Sequence, residues 1–369
     1  MKILFILPRA REKVARGYEL ICDQYTTELE RLGHQVMSIA PQQSKVSRFV
    51  KIKGIIKKIY SGCLSIDVLR FCDSIYEQEI TSLLAKNSFD IIVYMTLRST
   101  IFVKLDNSYL RTSHQCLFSI DASPGNIFQG NVSFLFGILG FYERLTQGLY
   151  EKRVMLGLNS LFLISNRDVK NYQKKFFGNK VHRLQYASNL SSNVVGGGVP
   201  VYDIGFIGNL SYQPNQRMLE HFIFDIFPFI KLDCRVLVAG ANPTEKTRAL
   251  CKLHGFDLVE NFLSVEKTIS KTKIVICPSR DESGVQTKIL DAFKLRKPVV
   301  CYPEANLGIG AEHGQHLMIC SSQEEFATSL EFLLSNEDFA HYLGENAFNF
   351  SEKHFNLTVG AIDLLKVWK

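Results

Sequence analysis

The residues with the clearest chemical potential lie between Pro278 and Val300, in the 23-residue run PSRDESGVQTKILDAFKLRKPVV. The apolar stretch KIVIC (273–277) precedes it and reads as a strand. A polar, glycine-containing turn follows, then a helix over 287–295, then a second strand, PVVC (298–301). A turn of this kind aims the helix N-terminus at the carboxyl end of the sheet, where α/β proteins bind ligands. The first N–H groups, near Ser283, Gly284, Val285, Gln286 and Thr287, can receive a phosphate. Gly284 has no side chain to keep a ligand away from the backbone. Lys288 and Asp291 are three residues apart and share one helix face. Ile289, Leu290 and Phe293 can pack inward. A cation for a diphosphate beside a carboxylate for a ribose diol is what a nucleotide requires. The plainer alternative is a helix cap with a surface ion pair, but the whole pattern favours the nucleotide.

The elements that must position these residues alternate along the chain. KILFILP (2–8) is a short continuous apolar run, the mark of a strand buried on both faces. A polar loop through Arg16 and Gly17 leads to a helical pattern of Leu20, Ile21, Tyr25, Leu29 and Leu32, stopped by Gly33. HQVMSIA (34–40) reads as the next strand, so a βαβ unit and a parallel sheet are expected. DIIVYMTL (90–97), QCLFSI (115–120) and SLFLI (160–164) continue the series. Residues 189–202 change character, with Gly196, Gly197, Gly198 and Pro200 among small and polar residues, and read as a linker. Alternation then restarts with DIGFI (203–207), a helix over about 216–226, and RVLVA (235–239). The expected organisation is α/β: a Rossmann-like domain over 1–195, a second over 203–355, and a helix over 356–369 returning to the first domain.

Composition bounds the rest. With 369 residues, two domains are favoured over one or three. Residues 1–200 carry 26 basic and 15 acidic side chains, and residues 201–369 carry 17 and 21. A basic half joined to a mildly acidic one suggests that only one half faces an anionic partner. Lys2 is followed by only five apolar residues before Pro8, too few for a secretory leader. The best apolar stretch, 132–142, is 11 residues long, where a span needs about 20. The nine cysteines form no CxxC pair and read as reduced core thiols. A cytoplasmic protein is expected. His313 and His316 are three apart on a loop, but no acid or Cys is spaced to complete a metal site.

The stretch DIGFIGNLSYQPNQRMLEHFIFDIFPFI (203–230), followed by ESGVQTKILDAFKLRKPVV, resembles the C-terminal domain of glycosyltransferase family four, the GT-B glycosyl transferases group 1. The resemblance is clear over 203–350 and weaker over 1–200. It implies two Rossmann-like domains facing each other across a cleft. It also implies a retaining transferase that takes a sugar from a nucleotide-diphosphate sugar, without metal or other cofactor. In that family two glutamates eight positions apart bind the donor. The ribose-holding one maps to Asp291. The sugar-contacting one maps to Ser283, with Glu282 and Asp281 as the nearest acids. Many members carry an Arg and a Lys after the first strand of this domain. Here the stretch Gly208–Asn215 has no cation and includes the pair Pro214-Asn215, as in a subgroup of the family. Asn209 and Ser211 could donate hydrogen bonds there, or Asn209 could serve the turn alone. Lys288 and Arg280 would then supply the positive charge.

The same resemblance places Arg16 and Gly17 near the diphosphate, although Arg16 could equally be a solvated side chain. It places Asp121, which follows the strand QCLFSI, near the reacting sugar beside Glu282; as the first residue of DASPGN, Asp121 is also a good turn starter. Glu143-Arg144, Tyr150-Glu151 and Ser165–Asp168 resemble the family as well and are expected to order structure. Gly308, Gly310 and Gly314 are expected to shape a loop. The acceptor would be a saccharide or a lipid-linked molecule, as in bacterial capsule, O-antigen or exopolysaccharide assembly. A sugar-nucleotide epimerase of similar fold and a degenerate sugar-binding or scaffold subunit stay open as alternatives.

One segment stands outside the resemblance. Residues 41–60 hold six cations (Lys45, Arg48, Lys51, Lys53, Lys57, Lys58) and no acid, with Val46, Phe49, Val50, Ile52, Ile55, Ile56 and Ile59 interleaved. This composition suits a basic amphipathic helix on an anionic membrane face, hence peripheral attachment at the inner face of the cell membrane. An ordinary solvated helix face would look similar. No aromatic stacking set accompanies the charge, so nucleic acid is not expected as a partner.

Overall fold

The computed structural model describes residues 1–10, 17–42, 48–103, 113–119, 134–175, 180–186, 188, 190, 200–280 and 285–369. Arg16, Asp121, Glu282, Ser283, Gly284 and the Gly196–Gly198 run lie outside the described residues. The chain divides into two compact units, Met1–Leu184 with Leu357–Lys369, and Gln185–Asn356. The division falls at 184/185, ahead of the glycine run that marks the linker in the sequence.

In the first unit the strands are β1 (Lys2–Ile6), β2 (Gln35–Ile39), β3 (Ile91–Tyr94), β4 (His114–Ser119), β5 (Ser160–Leu163) and β6 (Val181–Arg183). They pair in the order β2-β1-β3-β4-β5-β6, all parallel. β1, β3 and β5 are apolar runs because helices cover both faces of the sheet. The edge strand β2 is largely exposed and more polar. The helix Gly17–Arg31 ends as its sequence indicates. Gly33 takes φ +84°, its N–H bonds to the Glu30 carbonyl, and the His34 N–H bonds to the Leu29 carbonyl. The helix Leu357–Trp368 packs on that helix, and Arg31 donates to Thr358 at 3.3 Å. The Trp368 ring stacks on Phe118 and meets Phe162 edge-on, which anchors the chain end in the first unit's core.

The second unit contains β7 (Tyr202–Ile207), β8 (Val236–Gly240), β9 (Asp257–Glu260), β10 (Thr272–Cys277), β11 (Val299–Cys301) and β12 (Met318–Ile319). Their order is β12-β11-β10-β7-β8-β9, again parallel throughout. The fold class is thus α/β with two Rossmann-like units, as the sequence implies. All nine cysteines are free thiols, and all but Cys234 are buried. Burial pushes the Cys251 and Cys320 thiols up to about 11, so they are neutral packing groups.

The basic segment forms a helix, Arg48–Tyr60, but its cations are not equivalent. Lys51, Lys53 and Lys57 are exposed. Lys58 is buried, pairs with Glu77 at 2.9 Å and donates to the Ile101 carbonyl. That corrects the reading of all six cations as one outward-facing set. Lys58 sits on the inner face beside Ile55, which packs on the core. Lys45 lies outside the described residues.

The acids expected to order structure do so. Glu143 is fully buried. It accepts from Ser65 Oγ at 2.6 Å, from the Ile66 N–H at 2.7 Å and from the Asp67 N–H at 3.1 Å, which pins the short helix Ile66–Leu69. Glu151 accepts from Tyr172 and from Lys175, and the Tyr150 hydroxyl lies 3.0 Å from that of Thr100. Among the described residues, no helix is long and apolar enough to cross a membrane.

Candidate functional site

In the second unit the chain starts in the middle of the sheet. β7 lies between β8 and β10, and the strand order runs outward in both directions from the β7/β10 pair. Crossovers on the two sides of that pair lie on opposite faces, which opens a crevice at the carboxyl ends of β7 and β10. The loops after these two strands border it. They carry the residues singled out above.

The loop after β7 is locked by its own backbone. The Gly208 N–H bonds to the Ala239 carbonyl at 3.0 Å, and the Leu210 N–H to that of Ala241 at 2.8 Å. This lacing needs Gly240, because a Cβ there would sit 1.8 Å from the Gly208 carbonyl oxygen. Asn209 Oδ1 accepts from the Ser211 N–H at 3.0 Å and from its hydroxyl at 2.8 Å, so Asn209 serves the turn. The Asn209 carbonyl accepts from Asn215 Nδ2 at 2.9 Å. Asn215 Oδ1 in turn accepts from Lys288 Nζ at 2.9 Å. A continuous chain of hydrogen bonds therefore joins the helix after β10 to the loop after β7.

Lys288 is 8% exposed. Its ammonium lies 4.9 Å from the centre of the Phe206 ring and 3.9 Å from Met218 Sδ. Among the described residues no carboxylate pairs with it. Burial pushes its pKa below the ordinary lysine value, and the nearby Cys277 thiol opposes that shift. A buried cation held by a neutral amide and a ring face is an incomplete electrostatic arrangement. It lies on the first turn of the helix Thr287–Lys294, whose N-cap Gln286 makes no side-chain cap bond. Cation and uncapped helix end both favour an anion at this place.

Asp291, one turn on, accepts from the Ser188 hydroxyl at 2.6 Å. Burial pushes its carboxyl up to about 6, with the charge of Glu266 adding and the Ser188 bond opposing. Ile289, Leu290 and Phe293 are fully buried and hold the helix against the sheet. Arg280 is not gathered with Lys288. Its guanidinium stacks on Tyr302 at 3.5 Å and lies 3.5 Å from Glu304. Val285 is half-buried and Thr287 exposed at the helix start. Gly17 is the first residue of its helix in the other unit. The structure adds two residues to the set, Asn215 and Ser188. Asn215 has a signal in the Pro214-Asn215 pair; Ser188 has none, because its partner is 103 residues away.

The comparisons with known proteins bear on the same unit. Residues 201–336 match the model of the family described as Glycosyl transferases group 1. The matched stretch holds Asn209, Asn215, Lys288 and Asp291. Solved structures agree in fold along the whole chain. A glycosyltransferase from Rickettsia africae ESF-5 superposes with TM-score 0.68 at 12% identity, covering 100% of this chain and 97% of that one. Sucrose-phosphate synthase from Thermosynechococcus elongatus gives 0.67 at 11%, covering 100% and 98%. HepE from Anabaena, in complex with UDP and glucose, gives 0.66 at 12%, covering 99% and 98%. No curated protein matches the chain in sequence. Among the described residues no cluster of His, Cys, Asp and Glu could hold a metal ion.

Proposed function

We propose that the chain is a retaining glycosyltransferase that moves a sugar from a nucleotide-diphosphate sugar to a saccharide or lipid-linked acceptor in bacterial surface-polysaccharide assembly. The observation that carries this reading is Lys288, a buried cation at the β7/β10 crevice with no carboxylate partner among the described residues. The diphosphate would lie between Lys288 and the start of the helix Thr287–Lys294. There, fixed N–H groups and one cation would stabilise the leaving group without a metal. Asp291 would hold the ribose once Ser188 yields its bond. Asn209 and Ser211 would border the diphosphate through the turn they build. Asp121 and Glu282 remain the proposed groups at the transferred sugar, and Arg16, Gly17 and Arg280 the proposed outer donor contacts. The group 1 domain match and the UDP and glucose bound by the Anabaena relative support a nucleotide-sugar donor.

Attachment to the inner face of the cell membrane is proposed through the helix Arg48–Tyr60. Ile52, Ile56 and Tyr60 are exposed there beside Lys51, Lys53 and Lys57.

Calorimetric titration with UDP-, GDP- and dTDP-linked sugars tests the donor reading. One donor should bind, and Lys288→Ala should weaken it by about 1.5–3 kcal/mol, the scale of a charge-assisted hydrogen bond. If no donor binds, a scaffold subunit takes the place of the enzyme. Turnover of the donor without any acceptor would identify an epimerase.

A further inference from the structure

The first unit encloses a cavity of about 480 Å³ that the donor chemistry does not use. Its size falls in the roughly 300–1,000 Å³ range of small-ligand sites. It lies where the end of the helix Arg48–Tyr60 meets the end of the helix Phe134–Gly157. Ile101, Val103 and Val154 give it an apolar wall, and Lys57, Lys58 and Arg153 bring three cations. The facing acid, Glu77, is paired with Lys58. Arg153 donates to the Ser61 carbonyl, a neutral acceptor, and lies over Gly62, where a Cβ would meet its guanidinium at 2.6 Å. The cavity therefore joins apolar surface to an excess of positive charge.

The outer faces of the same two helices are unusual for a solvated surface. Phe141, Leu145, Leu149 and Leu156 are exposed, Leu149 by 58% and Leu156 by 61%. The spacing puts them on one helix face, and Arg153 continues that stripe between Leu149 and Leu156. On the other helix, Ile52, Ile56 and Tyr60 form a second exposed stripe beside Lys53 and Lys57. Exposed charges on both faces are cations, since Arg144, Lys152 and Arg153 match the lysines. The two acids of the longer helix are occupied: Glu143 is buried under Ser65, and Glu151 pairs with Lys175. Apolar stripes, cationic flanks and a cationic cavity at their junction are complementary to an anionic amphiphile.

We propose that this cavity takes the anionic headgroup of one membrane lipid while the two stripes rest on the bilayer around it. The inference builds on the peripheral-membrane part of the proposed function and adds a discrete lipid site to it. The test uses the full chain and dihexanoyl phosphatidic acid below its micelle concentration, titrated by calorimetry, with glycerol 3-phosphate as the chainless control. The expected result is saturable one-site binding of the amphiphile and much weaker binding of glycerol 3-phosphate. Lys57→Gln and Arg153→Gln should each lower that affinity about fivefold, and together about thirtyfold. Lys252→Gln, an exposed lysine of the other unit, should leave it unchanged. No saturable binding by the wild type, or equal binding by all variants, overturns the lipid site. Glycerol 3-phosphate binding as tightly as the lipid overturns it in favour of a free-phosphate site. Sedimentation with phosphatidylglycerol vesicles separates the two levels. Vesicle binding without the one-site titration leaves the membrane reading standing and removes only the cavity. Absence of both removes the two together.

Discussion

Glu143 in the first unit and Lys288 in the second are both buried, and they are satisfied very differently. In the first, Glu143 receives three donors, one hydroxyl and two backbone N–H groups, and ties two segments 76 to 78 residues apart in sequence. In the second, Lys288 holds one amide oxygen, a ring face and a thioether. A fully bonded buried ion is a structural fastener. A buried ion left short of partners costs stability and is kept where it meets a ligand. The surrounding surface sharpens the contrast. Around the second unit, several exposed charges are paired, as in Arg235–Asp257, Lys273–Asp203, Arg248–Glu260 and Arg296–Glu345. On the first unit, Lys51 and Lys57 stand among exposed apolar side chains.

The largest expected effect comes from the fastener. Glu143→Ala strands Ser65 and two N–H groups in a buried site and should cost about 3–5 kcal/mol of stability. Denaturant unfolding reads the loss, and nucleotide binding by the second unit should survive at low temperature. A neutral Glu143→Ala would end the contrast, because both buried charges would then be dispensable to folding.

Lys288→Met should behave in the opposite way. Donor affinity should fall by about 1.5–3 kcal/mol while the unliganded protein becomes more resistant to heat. The direction follows from the lowered pKa. At neutral pH the folded state holds this proton less favourably than the unfolded chain does, so removing the group relieves a cost. Calorimetry and a melting curve on the same sample check both halves. A variant with weaker binding and lower stability would mean that Lys288 is a fastener like Glu143.

These buried partnerships mark the limit of what a sequence displays. Strands such as β1, β3 and β10 are legible because a parallel strand covered on both faces must be apolar along its length. β6 and β12 are not, having three and two residues, and β9 and β12 have no fully buried residue. Lys288 and Asp291 are legible from their place at a helix start after a strand. Their partners are not, since Asn215 and Ser188 are brought in by the sheet order rather than by spacing. Likewise nothing in a run of like cations separates Lys58 from Lys57. Only Glu77, on another helix, turns one of them inward.

Asp291 gives a smaller, pH-dependent effect. Its carboxyl is held at about 6 against an ordinary value of 3.8, chiefly by burial. Between those values the folded protein keeps a proton that the unfolded chain has lost, so this group's contribution to stability falls as pH rises through that window. Asp291→Asn should therefore stabilise the protein at pH 7, by on the order of 1–2 kcal/mol, and lose that advantage below about pH 4. Nucleoside binding should weaken in the same variant, with little change for inorganic diphosphate. A pH-independent difference in melting temperature would show that Asp291 titrates normally and that the Ser188 bond compensates its burial.

The smallest effect per side chain belongs to the exposed lysines. A Lys near an anionic bilayer is worth about 1 kcal/mol, so Lys51→Gln and Lys57→Gln should each reduce binding to phosphatidylglycerol vesicles by about that amount and leave stability unchanged. Lys58→Gln should do the reverse. It leaves Glu77 without its partner and the Ile101 carbonyl without its donor, so the melting temperature falls. Salt provides the second axis of the test. Raising the ionic strength from about 0.1 to 1 M shortens the screening length from about 10 Å to 3 Å. The exposed lysines should lose their influence over that range, while the buried Lys58–Glu77 pair keeps most of its own. If Lys51→Gln and Lys58→Gln moved vesicle binding and melting temperature together, inward and outward cations on this helix would be equivalent, and the distinction between a fastened interior and a membrane-facing surface would fail.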